Sequence, residues 1–144
     1  MSKILKTILV SIILIFSMSG CRKNSNNQMP YVPVDIYINT SLPAYSALNG
    51  IGGSVYVTGG NDGIILYRQT YEIVVAFERR CTYNVEESCG FGVVDSSWTT
   101  VDCDCDGTKY HIFDGSVLEG PATYGLYQYR TSFNPDNNQL HVYN

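Results

Sequence analysis

Short runs rich in Val, Ile, Tyr and Thr follow one another through most of this sequence, separated by turns containing Gly, Asn or Asp. The first alternates apolar Val34, Ile36 and Ile38 with Asp35 and Tyr37. This period of two predicts a strand with one buried face and one exposed face. No window has helical periodicity, so the sequence predicts an all-β, antiparallel sandwich or small barrel. The further runs are SVYVTG, GIILYR, EIVVAFE, GVVD, WTTVD, KYHIF, GSVLEG, LYQYRTSF and QLHVYN.

Residues 1–20 have the organisation of a secretory signal peptide. Two lysines precede the apolar run 8–16, which is shorter than the roughly 20 apolar residues that span a bilayer. The segment then ends Met-Ser-Gly-Cys21, which resembles the lipobox of bacterial lipoproteins, although Met18 stands where leucine is usual. The alternative is an ordinary signal peptide in which this cysteine has no role.

The lipobox resemblance implies that Cys21 becomes the mature N-terminus and carries acyl chains such as palmitate. Burial of those chains anchors a protein to a membrane without a spanning helix. Residues 21–29 are polar and are expected to form a flexible tether, and residues 30–144 form one domain. Because Arg22 and Lys23 supply no aspartate retention signal, lipoprotein sorting implies the outer membrane, facing the periplasm.

The charge balance narrows the class of partner. Without Lys3 and Lys6, seven of the nine basic residues remain against 13 acidic residues, a net charge of −6. This argues against nucleic acid and anionic lipid surfaces as partners. We expect contact with the membrane through the lipid anchor, and an envelope protein of unknown identity as partner.

Four cysteines follow Cys21 and lie in two predicted loops. Cys81 and Cys89 bound the first loop, and Cys103 and Cys105 lie in the second. Cysteines of exported proteins usually form disulfides. Because Cys103 and Cys105 are too close along the chain to bond without strain, we expect bonds between the two loops.

A longer motif follows the second loop. Its parts are Gly107-Thr-Lys-Tyr110, then Asp114-Gly-Ser-Val-Leu-Glu-Gly-Pro-Ala122, then the run Leu126–Arg130. This order resembles the Rieske iron–sulfur domain, in which a Cys-x-Cys-His-Gly loop leads to Gly-x-x-[Phe/Tyr] and Asp-Gly-x-Val-Leu-x-Gly-Pro-Ala. The resemblance covers about residues 72–133. It implies a Rieske-like β-fold with a disulfide-pinned loop subdomain.

The resemblance also assigns roles to the cysteines. In that family the first cysteine of each loop binds one iron, and a histidine from each loop binds the other. The second cysteines form a disulfide between the loops. Carried over by position, Cys81 and Cys103 hold the iron-ligand positions, whereas Cys89 and Cys105 hold the disulfide positions.

Tyr83 and Asp106 occupy the positions of the two histidine ligands. A phenol must lose a proton of pKa about 10 before it can bind iron, and both groups are harder donors than imidazole. We therefore predict that the [2Fe–2S] cluster is lost and that no metal is bound. Cys81 and Cys103 then form a second disulfide, and Tyr83 fills part of the vacated space. The alternative is a cluster with an unusual ligand set.

The second loop also fits the first half of a calcium loop, through Asp102, Asp104, Asp106 and Gly107. That motif needs an acidic residue at its twelfth position, and Phe113 stands there. The flanking runs predict strands rather than helices. We therefore predict a disulfide-pinned loop with solvated aspartates.

No catalytic constellation is present in the sequence. The histidines, His111 and His141, lie in predicted strands with no plausible nucleophile beside them. We therefore predict that the protein is not an enzyme. Its predicted role is that of a binding or structural module of the cell envelope, with electron transfer through an unusual [2Fe–2S] cluster as the alternative.

Overall fold

The computed structural model describes residues 28–87 and 90–144, which fold into two antiparallel β-sheets. The predicted signal peptide and most of the predicted tether lie outside these residues. The all-β prediction is confirmed, and each predicted run overlaps one strand. The strands are β1 (Asp35–Asn39), β2 (Ser54–Val57), β3 (Ile64–Arg68), β4 (Val74–Glu78), β5 (Val93–Val94), β6 (Thr100–Cys103), β7 (Thr108–His111), β8 (Val117–Glu119), β9 (Gln128–Asn134) and β10 (Gln139–Tyr143).

The larger sheet has six strands in the order β1-β10-β9-β4-β3-β2. The alternation predicted for β1 is confirmed, because Val34 and Ile38 are buried whereas Asp35 and Tyr37 are exposed. Apolar side chains from all six strands belong to one cluster. The sheet therefore curls into a half-barrel that encloses a core on its concave side.

The smaller sheet has four strands in the order β5-β6-β7-β8. Val101 and Tyr110 from this sheet pack with Ile65, Val75 and Phe77 of the larger sheet in a second apolar cluster. Every residue of β3 and β4 is consequently buried. These two strands form the layer between the two cores.

One arginine joins the edges of the two sheets. The Arg79 guanidinium carbon lies 4.2 Å from the ring centroid of Tyr56 on β2 and 4.3 Å from that of Phe91. A cation between two aromatic rings is attracted to both. The Tyr56 hydroxyl also accepts a hydrogen bond of 2.9 Å from the backbone N–H of Val94 on β5. These contacts fix β5 against β2.

A 3-10 helix, Pro43–Asn49, follows β1, and no periodicity in the sequence predicts it. Leu48 is its single buried residue, so the segment has no repeating apolar face to detect. Its Leu48 carbonyl accepts a hydrogen bond of 2.9 Å from Nε of Arg68. The helix is thus fixed by the end of β3 rather than by its own sequence pattern. A single 3-10 turn, Val85–Glu87, lies in the first cysteine loop.

Glu78, at the end of β4, is a fully buried carboxylate. Its Oε1 accepts hydrogen bonds from the backbone N–H groups of Asp62 (2.9 Å) and Arg80 (3.1 Å). Its Oε2 accepts from the N–H of Asn61 (2.7 Å) and the hydroxyl of Tyr129 (2.6 Å). Hydrogen bonds from these donors offset the cost of burying the carboxylate. Burial, reinforced by the Glu78 carboxylate, raises the pKa of the Tyr129 hydroxyl, which remains the donor.

The turn that Glu78 binds also holds the start of the domain. Asn61 donates from its side-chain amide to the Pro30 carbonyl at 3.1 Å. Gly60 has φ +62°, and a β-carbon there would lie 2.3 Å from Oε2 of Glu78. Only glycine therefore fits beside the carboxylate.

We expect Glu78→Gln to lower the free energy of unfolding by about 2–4 kcal/mol, because an amide has one acceptor oxygen for donors that now bind two. Urea denaturation measures the loss. Glu72→Gln, the same change at an exposed position, should stay within about 0.5 kcal/mol of the wild type. Equal effects of the two substitutions would contradict this assignment.

Candidate functional site

The two cysteine loops are joined at their base by a disulfide between Cys81 and Cys103. Cys81 follows β4 and Cys103 ends β6, and their Cα atoms are 6.2 Å apart. Both residues are almost fully buried, with exposures of 3% and 1%. The predicted bond is confirmed, and it links the larger sheet to the smaller one.

Of the other two cysteines, only Cys105 lies in the described part of the chain. Cys105 is exposed and disulfide-bonded. The prediction for Cys89 falls outside the described residues, as does that for lipidation of Cys21. The pairing of Cys89 with Cys105 therefore stays a prediction.

A buried tyrosine fills the space beside the disulfide. Tyr110 on β7 is fully buried in the same apolar cluster as Cys81 and Cys103. Its hydroxyl accepts a hydrogen bond from the N–H of Thr82 (3.2 Å) and lies 2.9 Å from Oγ1 of Thr82. That threonine hydroxyl in turn donates to the Tyr124 carbonyl at 2.6 Å. Burial raises the pKa of the Tyr110 phenol, so the group stays a neutral donor and acceptor.

The prediction that Tyr83 fills this space is wrong. Tyr83 is 40% exposed, whereas its neighbour Thr82 is buried and carries the hydrogen bonds to Tyr110. The ring of Tyr110, from the smaller sheet, occupies the interior instead. The Gly-x-x-[Phe/Tyr] motif marks Tyr110 in the sequence, but nothing in the sequence shows that it pairs with Thr82, a partner 28 positions away.

Asp106 shapes the second loop. Its side chain is half-buried, and Oδ1 accepts a hydrogen bond of 2.7 Å from the N–H of Thr108. The N–H of Gly107, which has φ +74°, donates to the Cys103 carbonyl at 2.9 Å. This is a tight turn in which an aspartate side chain binds the backbone two residues on, a common role for Asp.

These donors do not fit a [2Fe–2S] cluster. The sulfurs of Cys81 and Cys103, at the iron-ligand positions that the Rieske resemblance assigns, are bonded to each other and are therefore not thiolates. Tyr83 is exposed, and Asp106 binds backbone. Within the described part of the chain, no three His, Cys, Asp or Glu side chains converge as a metal-binding group.

The other candidate metal-binding residues serve local structure. Oδ1 of Asp102 accepts a hydrogen bond of 2.7 Å from the Thr100 hydroxyl, and Asp104 is exposed. Nδ1 of His111 lies 3.7 Å from the Asp114 carboxylate. Nε2 of His141 lies 2.6 Å from Oδ1 of Asp35.

One end of the domain exposes large apolar side chains. Hydrogen bonds bring their segments together, because Gln69 binds the carbonyls of Ile73 (3.0 Å, backbone) and Phe113 (2.8 Å, side chain). Three acidic residues, Glu72, Asp95 and Asp114, lie in the same segments. Several exposed large apolar side chains with acidic neighbours at one end of a domain are typical of a protein-binding surface. The apolar residues are Ile51, Tyr71, Ile73, Trp98 and Phe113, with exposures from 43% to 70%.

This apolar end lies opposite the start of the domain. Strands β3 and β4 run between them, with Arg68 and Val74 at the apolar end and Ile64 and Glu78 at the other. The segment 28–31 and the residues Arg80, Val85 and Glu86 border an open cleft of about 570 Å³ at the Glu78 end. The chain therefore enters the domain beside the first cysteine loop.

No protein-family model matches the chain, and no curated protein matches its sequence. Among the described residues no helix is long and apolar enough to cross a membrane.

We expect Tyr110→Phe to lower the free energy of unfolding by about 1–3 kcal/mol, because it leaves the buried N–H of Thr82 without an acceptor. Tyr124→Phe is the matched control, since only the backbone of Tyr124 enters the network, and it should change stability by less than about 0.5 kcal/mol. Chemical denaturation of both variants gives the comparison. If Tyr110→Phe were as stable as the control, the Tyr110 hydroxyl would not contribute to stability as proposed.

Proposed function

We propose that this chain is an exported lipoprotein whose Rieske-like domain has lost its iron–sulfur cluster and serves as a binding or structural module of the cell envelope. The observation that carries this proposal is the Cys81–Cys103 disulfide. It occupies the two cysteine positions that bind iron in the family that the sequence resembles. A disulfide can hold the two loops together as a cluster does, but it offers no thiolate to a metal.

A binding role is supported by the apolar end of the domain. The acidic residues in its segments favour a protein partner whose apolar contact surface has a basic rim, by charge complementarity. The start of the domain lies at the other end of β3 and β4. A lipid on Cys21 would therefore attach at the end of the domain opposite the apolar residues, so the anchor itself would leave them uncovered for an envelope protein.

The loss of the cluster predicts a colourless protein. Purified full-length chain should show no visible absorption, no acid-labile sulfide and, after denaturation without reductant, no free thiol at Cys81 or Cys103. These properties follow because both sulfurs are already oxidised. Iron and sulfide in stoichiometric amounts, with absorption through the visible range, would instead establish the electron-transfer alternative.

If Cys21 is lipidated, membrane association of the protein should depend on this one cysteine. Cys21→Ser should abolish incorporation of labelled palmitate and yield unprocessed or soluble protein, because the acyl chains supply the membrane affinity. Fractionation of lysates without detergent measures the distribution. Met18→Leu, which restores the usual lipobox residue, is the matched control and should stay acylated. Release of the wild-type protein without detergent is the outcome that rules out the anchor.

A further inference from the structure

Strand β1 is an edge of the larger sheet with an unused side. Backbone hydrogen bonds at Val34 and Thr40 on either side of it show that its even-numbered residues bond to β10. Because successive residues of a strand point their N–H and C=O groups in opposite directions, those of Asp35, Tyr37 and Asn39 face away from the sheet. Within the described residues, the outward backbone groups of Asp35 and Tyr37 have no hydrogen-bond partner.

The other edges are shorter and more obstructed. On the edge strands β2 and β5, the hydroxyl of Tyr56 binds the N–H of Val94 and so joins them. The 3-10 helix also packs against the start of β2, where a β-carbon on Gly53 would overlap the Ala47 carbonyl. β8 has only three residues. β1, with five residues, is therefore the longest edge open to strand addition.

The sequence of β1 is nearly palindromic. It runs Asp35-Ile36-Tyr37-Ile38-Asn39, and aspartate and asparagine have the same shape. Two copies of β1, paired antiparallel about Tyr37, therefore place each isoleucine opposite an isoleucine. Each Asp35 then lies opposite an Asn39 of the other copy.

We propose that β1 pairs with β1 of a second copy of this chain, forming a two-fold symmetric dimer with one continuous sheet through both molecules. The two Tyr37 residues exchange their backbone hydrogen bonds at the axis. On either side, Asp35 and Asn39 exchange theirs, with the Asn39 carbonyl also accepting the 3.3 Å bond from the Leu42 N–H. Such an interface is isologous, as in most homodimers. Pro33 lacks an N–H group, which ends the pairing at its N-terminal side.

The side chains on the outer face suit this register. Asn39 accepts hydrogen bonds at Oδ1 from the N–H (3.0 Å) and hydroxyl of Ser41, so its amide N–H groups point elsewhere and can donate. The opposite Asp35 can accept, because His141 contacts only its Oδ1. The two Asp35 carboxylates lie about 13 Å apart along the strands, since each residue advances about 3.3 Å. Like charges are thus separated and unlike groups are paired.

The apolar side chains suit it as well. Tyr37 is 70% exposed, yet its ring is held by stacking on His141 with centroids 4.1 Å apart. A second Tyr37 across the axis would cover that exposed ring without loss of much side-chain freedom. On the inner face Ile36 is only half-buried, and Ile38 of the other copy would cover it.

Changing the charges at positions 35 and 39 tests the proposed register of the β1–β1 pairing. Asn39→Asp keeps the acceptor for Ser41 but places a carboxylate opposite Asp35 twice in each dimer. Sedimentation of the full-length chain in detergent should show association weakened about tenfold, because like charges directly opposite each other repel. The double variant Asp35→Asn/Asn39→Asp restores unlike pairs in the same positions and should restore association.

A lysine at position 37 tests whether Tyr37 lies at the two-fold axis of the dimer. Tyr37→Lys places two ammonium groups opposite each other and should also weaken association, whereas Tyr124→Lys, at a tyrosine that is 61% exposed, should not. In membranes, a photoreactive phenylalanine analogue at position 37 should give an adduct of twice the monomer mass. A monomeric wild-type chain in detergent with no such adduct overturns the proposal. So does an adduct to a different protein alone, or unchanged association in Asn39→Asp.

Discussion

Burial of β3 and β4 on both faces is the constraint on which the rest of the structure depends. A strand that is apolar on both sides needs two cores, and here the curled larger sheet supplies one and the smaller sheet the other. Other elements are held in position by contacts with the ends of β3 and β4. The 3-10 helix binds the end of β3 through Arg68, and the turn 59–63 binds the end of β4 through Glu78.

The disulfide between Cys81 and Cys103 belongs to the same layer. Cys81 follows β4, and Cys103 belongs to the apolar cluster between the sheets. The bond therefore crosslinks the two sheets at the point where the cysteine loops begin. Tyr110 and Thr82 complete that region with a hydrogen-bonded pair of hydroxyls, so the interior there is packed rather than hollow. This packing holds the bases of the two cysteine loops in a fixed shape.

The exposed surfaces of the domain differ in polarity and in what they can bind. The end near Arg68 exposes large apolar side chains, whereas the end near Glu78 receives the N-terminal segment. Between them, β1 offers backbone hydrogen-bonding groups along the side of the larger sheet. A dimer formed through β1 would leave the apolar ends uncovered, because the strand pairing uses the side of each sheet. Self-association and partner binding are therefore compatible.

The sequence by itself determined which segments form strands, because period-two alternation and Gly or Asn turns act over a few residues. The spacing of the cysteines also indicated bonds between two segments, and the Rieske resemblance implied the Cys81–Cys103 pair that the structure contains. Only the tertiary structure decided which side chains fill the interior beside that bond. Tyr83 is exposed and Tyr110 is buried because the neighbours that select between them come from distant strands. The same holds for Glu78, whose donors lie up to 51 positions away, and for the 3-10 helix, whose one buried residue gives no pattern. Local chemistry fixes the elements, whereas burial and hydrogen-bond satisfaction depend on contacts that form only when the sheets pack.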